Sequence, residues 1–226
     1  MTNSDYDTVD RALAERYSCR GFLPDRVPGE TLRALFASAQ RTASWCNSQA
    51  WQVTLVSADD AAEFGDALTA WVASGKPQVM DIDPPTRYEG VYQERRRGAG
   101  FALYNAVGVE RDDTEGRMRQ MAENFRFFGA PHVAVISSPK SLGPYGAVDC
   151  GAYVSSLLTV AQSLGLATIA QAAIAMYSDF VHDHLDIPDD RNIVCAVSIG
   201  YADDAHPANG FRTERTDVDG VVVGLG

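Results

Sequence analysis

The stretch Cys150-Gly-Ala-Tyr-Val-Ser-Ser-Leu-Leu-Thr-Val-Ala-Gln-Ser-Leu-Gly165 carries the clearest helical pattern in the chain. Its apolar side chains recur at helical spacing, at Val154, Leu157, Leu158 and Ala161. Charged residues are absent from Cys150 to Ser178, but Ser, Thr, Gln and Gly interrupt the apolar positions. A membrane-spanning helix needs about 20 predominantly apolar residues. The pattern therefore predicts a buried helix at the centre of a soluble fold, followed by a loop.

Shorter patterned segments on both sides of this helix predict the rest of the fold. Helices are predicted at 4–14, from Pro28 onward, at 58–74 and through most of 88–128. Strands are predicted at 51–56, 130–136 and 193–199, and one more where Val218 and the valines at 221–223 end the tail. Because helices outnumber and separate the strands, we expect a single domain over 1–226 with an α+β or mixed α/β layer structure.

The composition limits the partners of the chain. Its 226 residues contain 19 Lys and Arg against 30 Asp and Glu, a net charge of −11. Nucleic acid and anionic membranes are bound mainly by basic surfaces, so neither is an expected partner. The four cysteines form no Cys-x-x-Cys, the four histidines show no metal-ligand spacing with them, and residues 1–7 are polar and acidic. We therefore expect a reduced, cytoplasmic protein without a metal site.

The segment Arg16-Tyr17-Ser18-Cys19-Arg20 is the first candidate binding site. Two guanidinium groups four residues apart flank a hydroxyl, and planar guanidinium donors suit phosphate oxygens. The alternative is a solvated helix end. A second basic segment, 209–215, contains Arg212 and Arg215 and could close the same site, although a solvated tail is the alternative.

The segment 44–51 places polar side chains between Trp45 and Trp51. Amide and hydroxyl groups there could bond the edge of a heteroaromatic ring, and the two indoles could cover its faces. A polar turn between a helix and a strand is the alternative.

Together these segments resemble the FMN-dependent nitroreductase family over residues 12–223. The family pattern Arg-x-Ser-x-Arg-x-Phe is matched at Arg16, Ser18, Arg20 and Phe22. Its pattern Pro-Ser-x-x-Asn-x-Gln-Pro-Trp is matched at Ser44, Asn47, Gln49 and Trp51, with Ala43 and Ala50 in place of both prolines. Further landmarks are similar at 124–131, Asp149-Cys150-Gly151, Gly165-Leu166 and Ile199-Gly200-Tyr201.

The resemblance implies a set of cofactor-binding residues. Arg16, Tyr17, Ser18 and Arg20 would hold the FMN phosphate and ribityl chain. Thr213 stands where some family members have a lysine, so Arg212 would substitute for it or Arg215 would act alone. Ser44, Trp45 and Asn47 would come from the partner subunit. Asn124 would meet the pyrimidine edge, and the backbone of Gln171, Ala172 and Ala173 would face flavin N5 and O4.

The resemblance also implies a fold and an activity. The fold would be a central mixed β-sheet flanked by helices, with a C-terminal extension exchanged in a homodimer that shares its FMN sites. The activity would be ping-pong reduction of nitroaromatics, quinones or related small electrophilic acceptors by NAD(P)H, with hydride passing through flavin N5 and no catalytic side chain. Arg126 is a candidate for the charge near N1 and O2, with an exposed helix charge as the alternative.

Three alternatives to this activity stay open at the level of sequence. A flavoenzyme of the same fold could catalyse dehalogenation, flavin fragmentation or ene reduction. A flavin-binding protein could store or sense the group without turnover. A plain interaction domain would leave the arginine clusters unexplained.

Overall fold

A computed structural model describes residues 4–224, and residues 1–3, 225 and 226 lie outside the described part. Within that part the backbone forms seven α-helices and four β-strands. The helices are α1 (Ser4–Glu15), α2 (Gly29–Ala39), α3 (Asp59–Ala73), α4 (Gly90–Ala106), α5 (Thr114–Ala122), α6 (Gly143–Ser163) and α7 (Ser178–Leu185). The strands are β1 (Gln52–Ser57), β2 (His132–Pro139), β3 (Ala167–Gln171) and β4 (Arg191–Gly200).

The α+β class and most predicted elements are confirmed, but the segment after α6 and the tail differ from prediction. The segment after α6, expected to be a loop, contains β3 and α7. The sequence of β3 is only Ala-Thr-Ile-Ala-Gln, and it is a strand because β4 pairs with it. The tail, expected to end in a strand, forms a 3₁₀ turn at Val218–Gly220 followed by exposed valines. A strand needs a neighbour to be stable, and the described part of one chain supplies none there.

The sheet has the strand order β1-β2-β4-β3, and every neighbouring pair of these strands is antiparallel. The expected mixed sheet is thus antiparallel in its four strands. Within residues 4–224, the parallel contact at the sheet is an isolated bridge between Ser18 and Thr168, at the outer edge of β3. That bridge places the first arginine segment beside β3.

Both faces of the sheet are covered. On β2, Val133 and Val135 belong to one core cluster, which includes residues of α3, α7 and the aromatic turn 123–129. The alternate residues Ala134 and Ile136 belong to a second cluster, which includes residues of α2 and α6. Successive side chains of a strand point to opposite faces, so a continuous apolar run fills two cores at once.

Helix α6 packs one side against the sheet and α2 and leaves part of its surface open. Tyr153, Leu157 and Ala161 are buried, whereas Tyr145 and Val148 are 54% and 63% exposed. The helix predicted to be buried is therefore only half covered within one chain. Within residues 4–224, the helices lack the combination of length and apolar character needed to cross a membrane.

Candidate functional site

The first arginine segment is held against the edge of β3. After α1 ends at Glu15, the chain turns along the outer side of that strand, and the N–H of Cys19 donates to the carbonyl oxygen of Thr168 at 3.1 Å. Ser18 forms the parallel bridge to the same residue. The backbone of the segment is thereby fixed by the sheet. The side chain of Cys19 is buried, whereas Arg16, Ser18 and Arg20 line a cavity.

The two basic segments meet in one cavity. Its volume is about 220 Å³, and its described lining contains no Asp or Glu. The polar side chains around it are those of Arg16, Tyr17, Ser18, Arg20, Arg212, Thr213 and Arg215. The structure thus brings both Arg212 and Arg215 to the first arginine segment. The sequence analysis had left open which of the two completes the site.

The cavity is electrostatically positive. Burial and, second, the positive charge of Arg215 lower the pKa of Arg16 from its usual value. Burial also lowers the pKa of Arg20. A shift in this direction means that the surroundings disfavour the charged guanidinium. An anion in the cavity would remove that penalty.

Asn209 joins the tail to the first arginine segment, a role that the sequence analysis missed. Its side-chain oxygen accepts from the N–H of Arg20 at 2.7 Å, and its amide nitrogen donates to the carbonyl oxygens of Gly21 and Asp203 at 2.8 and 2.9 Å. The backbone at Gly21 also packs closely against the side chain of His206, since a Cβ on Gly21 would lie 2.3 Å from Cγ of His206. The available signal was an Asn-Gly pair in a basic loop, which is also typical of an ordinary turn.

Arg212 and Arg215 are held differently. The guanidinium of Arg212 stacks 3.7 Å from the ring centroid of Tyr17 and donates to the carbonyl oxygen of Asn209 at 2.8 Å. Arg215 donates to the hydroxyl of Thr213, a neighbour in its own segment, at 2.9 Å. Burial raises the pKa of Tyr17, so its ring is a neutral phenol at physiological pH. Arg212 is therefore a structural part of the cavity wall, whereas Arg215 keeps its charge facing Arg16.

Asn124 and Gln171 form a second polar group, at the end of β3. Gln171 is 2% exposed and donates to the backbone oxygen of Asn124 at 2.8 Å. Its side-chain oxygen accepts from the hydroxyl of Ser198 at 2.5 Å. Both ends of the Gln171 amide are thus used within the chain, while Asn124 is partly exposed. The chain then turns at Ala172, which is exposed, and at Ala173, which precedes a 3₁₀ turn.

The loop 44–51 is fixed by Asp149 of α6. This carboxylate accepts from the N–H of Trp45 at 3.0 Å and from the hydroxyl of Ser48 at 2.8 Å. The hydroxyl of Ser44 accepts from the N–H of Gln49 at 2.9 Å. These bonds hold a backbone in which Cys46, Asn47 and Gln49 have positive φ. Alanines stand at the positions of the two family prolines, and the carboxylate of Asp149 restrains the loop.

The two tryptophans of this loop have separate roles. Trp45 is 56% exposed and packs edge-on against Tyr145 at 4.1 Å between ring centroids. Trp51 is buried, stacks on Tyr153 at 4.9 Å and donates to the side chain of Gln40. Only Trp45 is available to cover a ring, so the suggestion that both indoles do so is wrong for Trp51.

One chain does not bring the loop and the arginine cavity together. Asp149 lies near the start of α6, whereas Ser163 ends it and lines a depression with Glu15, the residue before Arg16. The 14 helical steps from Asp149 to Ser163 correspond to about 21 Å at 1.5 Å per residue. Ser44, Trp45 and Asn47 are therefore far from the cavity of their own chain.

Arg126 is exposed and lies outside the arginine cavity. It lines a different surface depression, which also contains Arg26, Asp59 and Asp66. Within residues 4–224, His, Cys, Asp and Glu side chains nowhere gather in a group of three that could hold a metal ion.

Comparison with known proteins places this arrangement in a family. The family model described as the nitroreductase family matches residues 13–201. The chain belongs to the nitroreductase family. The matched range includes the first arginine segment, the Trp45 loop and the Asn124–Gln171 pair, and it ends before Asn209, Arg212 and Arg215.

Two curated reductases and one solved structure are similar to almost the whole chain. Nitroreductase NfnB of Mycolicibacterium smegmatis is 36% identical over 210 residues, which cover 92% of this chain and 88% of that protein. A 4-nitrobenzoate reductase of Nocardioides sp. is 30% identical over 217 residues, which cover 94% and 88%. The crystal structure of FMN-dependent NfnB from Mycobacterium smegmatis in complex with NADPH matches with a TM-score of 0.93 at 33% identity, covering 97% of this chain and 99% of that one.

Proposed function

We propose that this nitroreductase-family chain is an FMN-dependent NAD(P)H oxidoreductase that reduces nitroaromatics, quinones or related small electrophilic acceptors. The observation that carries the proposal is the cavity formed by Arg16, Ser18, Arg20 and Arg215, which concentrates positive charge in a protein of net charge −11. The relatives described above are reductases of nitro compounds, and one of them was crystallised as an FMN-dependent enzyme with NADPH.

The donor set fits the phosphate end of FMN. A phosphate monoester carries about two negative charges at neutral pH and accepts several hydrogen bonds. Arg16, Arg20 and Arg215 supply the opposite charge, and Ser18 supplies a hydroxyl donor. Tyr17 and Arg212 stack to form one wall of the cavity. An anion there also relieves the mutual repulsion of Arg16 and Arg215.

We assign the ring end of the cofactor to the turn after β3. Asn124 would meet the pyrimidine edge, and the backbone at Ala172 and Ala173 would face N5 and O4. Because the side chain of Gln171 is used by Asn124 and Ser198, we assign it to positioning Asn124. Bound FMN supplies hydride transfer between NAD(P)H and the acceptor. The chain's own residues bind and orient the group, and we assign no side chain as a nucleophile, acid or base.

A homodimer would complete the site. Asp149, which holds the Trp45 loop, lies about 21 Å along α6 from Ser163, at 1.5 Å per helical residue, and Ser163 lines a depression with Glu15, the residue before Arg16. We therefore assign Ser44, Trp45 and Asn47 to the partner's cofactor. An apolar surface is available for the contact: Tyr6, Val9 and Leu13 of α1 and Tyr145 and Val148 of α6 are exposed. Exposed apolar patches of this kind are typical of subunit interfaces.

The exposed C-terminal tail fits the same homodimer. Val218 and Val221–Val223 are exposed, so a C-terminal extension that crosses to the partner would bury them. A homodimer with both FMN sites at the interface follows from this assignment.

We place the protein in the cytoplasm, where nicotinamide nucleotides are available and where its four free thiols stay reduced.

The absorption spectrum of the purified protein tests the proposal. We expect a flavin spectrum that bleaches on anaerobic addition of NADPH or NADH and returns when a nitroaromatic or quinone is added. Steady oxidation of nucleotide with acceptor identifies an enzyme, whereas consumption of one equivalent identifies a binding protein. A colourless protein that takes up no added FMN contradicts the proposal.

Two further measurements test the assignment of the site. The double variant Arg16→Ala/Arg20→Ala should fold and lose FMN, whereas Arg33→Ala/Arg41→Ala, at exposed positions near α2, should retain it. Light scattering should give twice the chain mass of 24.4 kDa. A monomer that binds FMN tightly would contradict the shared site.

A further inference from the structure

An apolar cleft lies where residues of α3, α4 and α5 come together, next to the turn that carries Asn124. Its volume is about 670 Å³, within the range of small-molecule sites. Its apolar lining residues include Val72 of α3, Tyr104 of α4 and Met118 and Met121 of α5. The cleft is separate from the arginine cavity, since the two have no described lining residue in common.

The cleft is lined by chain neighbours of Asn124, the residue that we assign to the cofactor ring. Met121 and Phe125 line it, and they flank Asn124 in the chain. The side-chain amide of Asn124 donates to the carbonyl oxygen of Met121 at 3.0 Å, while Asn124 accepts from Gln171 through its own carbonyl oxygen. A flat molecule in the cleft would therefore lie beside the proposed position of the flavin edge.

Arg117 supplies the charge of the cleft. Among the described lining residues it is the one that is charged. Its guanidinium donates to the carbonyl oxygen of Arg111 and to the hydroxyl of Thr114, both neutral acceptors. Within residues 4–224 no carboxylate lies within 4.0 Å of it, whereas Arg119, two residues further on, pairs with Asp113 and Glu115 at 3.7 Å. Arg117 is thus held in place by its neighbours and keeps an unneutralised charge with donors to spare.

We propose that this cleft binds the electron acceptor, and that the acceptor is an aromatic carboxylate whose acid group is held by Arg117. The apolar walls accommodate one aromatic ring, and a guanidinium matches a carboxylate through two parallel hydrogen bonds. The opposite end of the ring then points toward Asn124. This inference rests on the proposed function, because it names the substrate class of that activity.

Paired substrates and matched arginine variants test the role of Arg117. We compare kcat/KM for 4-nitrobenzoate and for 4-nitrobenzamide, which differ in charge but hardly in shape, using the FMN-loaded enzyme and saturating nucleotide. Arg117→Gln should lower the ratio of acid to amide by about tenfold or more, the effect of losing a charged hydrogen bond. Arg119→Gln should leave the ratio at the wild-type value. Arg117→Lys should fall between them, since lysine keeps the charge without the planar fork.

A binding measurement separates failure of this inference from failure of the proposed function. Benzoate and benzamide cannot be reduced through a nitro group, so calorimetry with the FMN-loaded protein reports on the cleft without turnover. We expect benzoate to bind more tightly than benzamide, and Arg117→Gln to remove the difference. Ala73→Phe, which narrows the cleft from the last residue of α3, should weaken both.

The outcomes are distinct. If Arg117→Gln and Arg119→Gln change the acid-to-amide ratio equally, or if neither changes it, Arg117 does not hold the carboxylate and the inference is overturned. If benzoate binds no better than benzamide to the wild-type protein, it is also overturned. Absence of flavin bleaching by both nucleotides, with benzoate binding still dependent on Arg117, would overturn the proposed function and leave the cleft as an aromatic-acid site.

Discussion

The side-chain oxygen of Asn209 accepts a hydrogen bond from the backbone N–H of Arg20 at 2.7 Å, across 189 positions of sequence. The same side chain donates to Gly21 and Asp203 and is buried. One amide therefore fixes the position of the tail arginines relative to the first arginine segment. Because three hydrogen bonds depend on it, the geometry of the arginine cavity depends on a residue that does not itself line the cavity.

Replacing Asn209 should loosen the cavity without removing an arginine. In Asn209→Ala, the N–H of Arg20 loses its partner, while the carbonyl oxygens of Gly21 and Asp203 keep only their backbone and thiol donors. We expect the free energy of unfolding to fall by about 1–3 kcal/mol. FMN should bind about tenfold more weakly, since the arginines are no longer preorganised. Denaturant unfolding of the apoprotein and fluorescence titration with FMN measure the two effects. Asn105→Ala, at an exposed position of α4, is the control, and an equal loss of FMN affinity there would contradict the assignment.

Arg212 and Arg215 should respond differently to removal of charge. Arg215 lowers the pKa of Arg16 by repulsion, so Arg215→Gln should weaken FMN binding about tenfold or more without destabilising the apoprotein. Arg212 instead stacks on Tyr17 and bonds to Asn209, so Arg212→Gln should lower the Tm of the apoprotein. FMN titration and thermal unfolding of both variants distinguish the roles. The reverse pattern would assign the phosphate to Arg212.

Removing the carboxylate of Asp149 should disturb cofactor binding from a distance. The loop 44–51 holds three non-glycine residues at positive φ, which costs on the order of 1 kcal/mol each and requires restraint. Asp149→Ala removes the acceptor for Trp45 and Ser48, so we expect the loop to relax and FMN to bind more weakly. FMN titration and the emission of Trp45 report on the change.

The control for this variant is Ser156→Ala, on an exposed site of the same helix where the hydroxyl bonds only to Ala152 of its own turn. If Asp149→Ala retains wild-type FMN affinity in a dimer, the loop does not contribute to the partner's site.

Local patterns were sufficient for the long elements of the fold and for the arginine cluster. The periodicity of α6 and the runs of β2 and β4 reflect burial on the sheet, which the sequence encodes residue by residue. Arg16, Ser18 and Arg20 were recognisable because a short motif requires them in fixed spacing. The return of Arg212 and Arg215 to the same cavity agreed with that motif.

Features that depend on tertiary contacts could not be predicted from the sequence. β3 has two alanines in five residues, and it becomes a strand because the edge of β4 is available. Asn209 looks like a turn residue until its partner Arg20 is known. The cleft at Arg117 exists because α3, α4 and α5 meet, and none of them carries a motif for it.

The neutral state of His132 should make stability depend on pH. Its Nε2 accepts from the N–H of Val27 at 3.0 Å, so the proton of the neutral ring is on Nδ1. Nδ1 lies 2.9 Å from the hydroxyl of Ser57. Burial and, second, the charge of Arg26 lower the pKa of His132 below its usual 6.5. In the interval between the folded pKa and 6.5, the unfolded chain binds a proton that the folded chain does not. Stability should therefore fall as the pH drops through this interval and become independent of this group below it.

Two measurements check the behaviour of His132. Titration of its imidazole resonances in the native protein should give a midpoint below 6.5, the usual value for histidine. Urea unfolding between about pH 7.5 and 5 should show the loss of stability, and Arg26→Gln should reduce it, since that variant removes one cause of the lowered pKa. The variant also breaks the Arg26–Asp59 ion pair, but that pair is exposed, so the change in pH slope can be assigned to His132. A midpoint above 6.5 would mean that the imidazolium is favoured in the fold, which is incompatible with an acceptor role for Nε2 toward Val27.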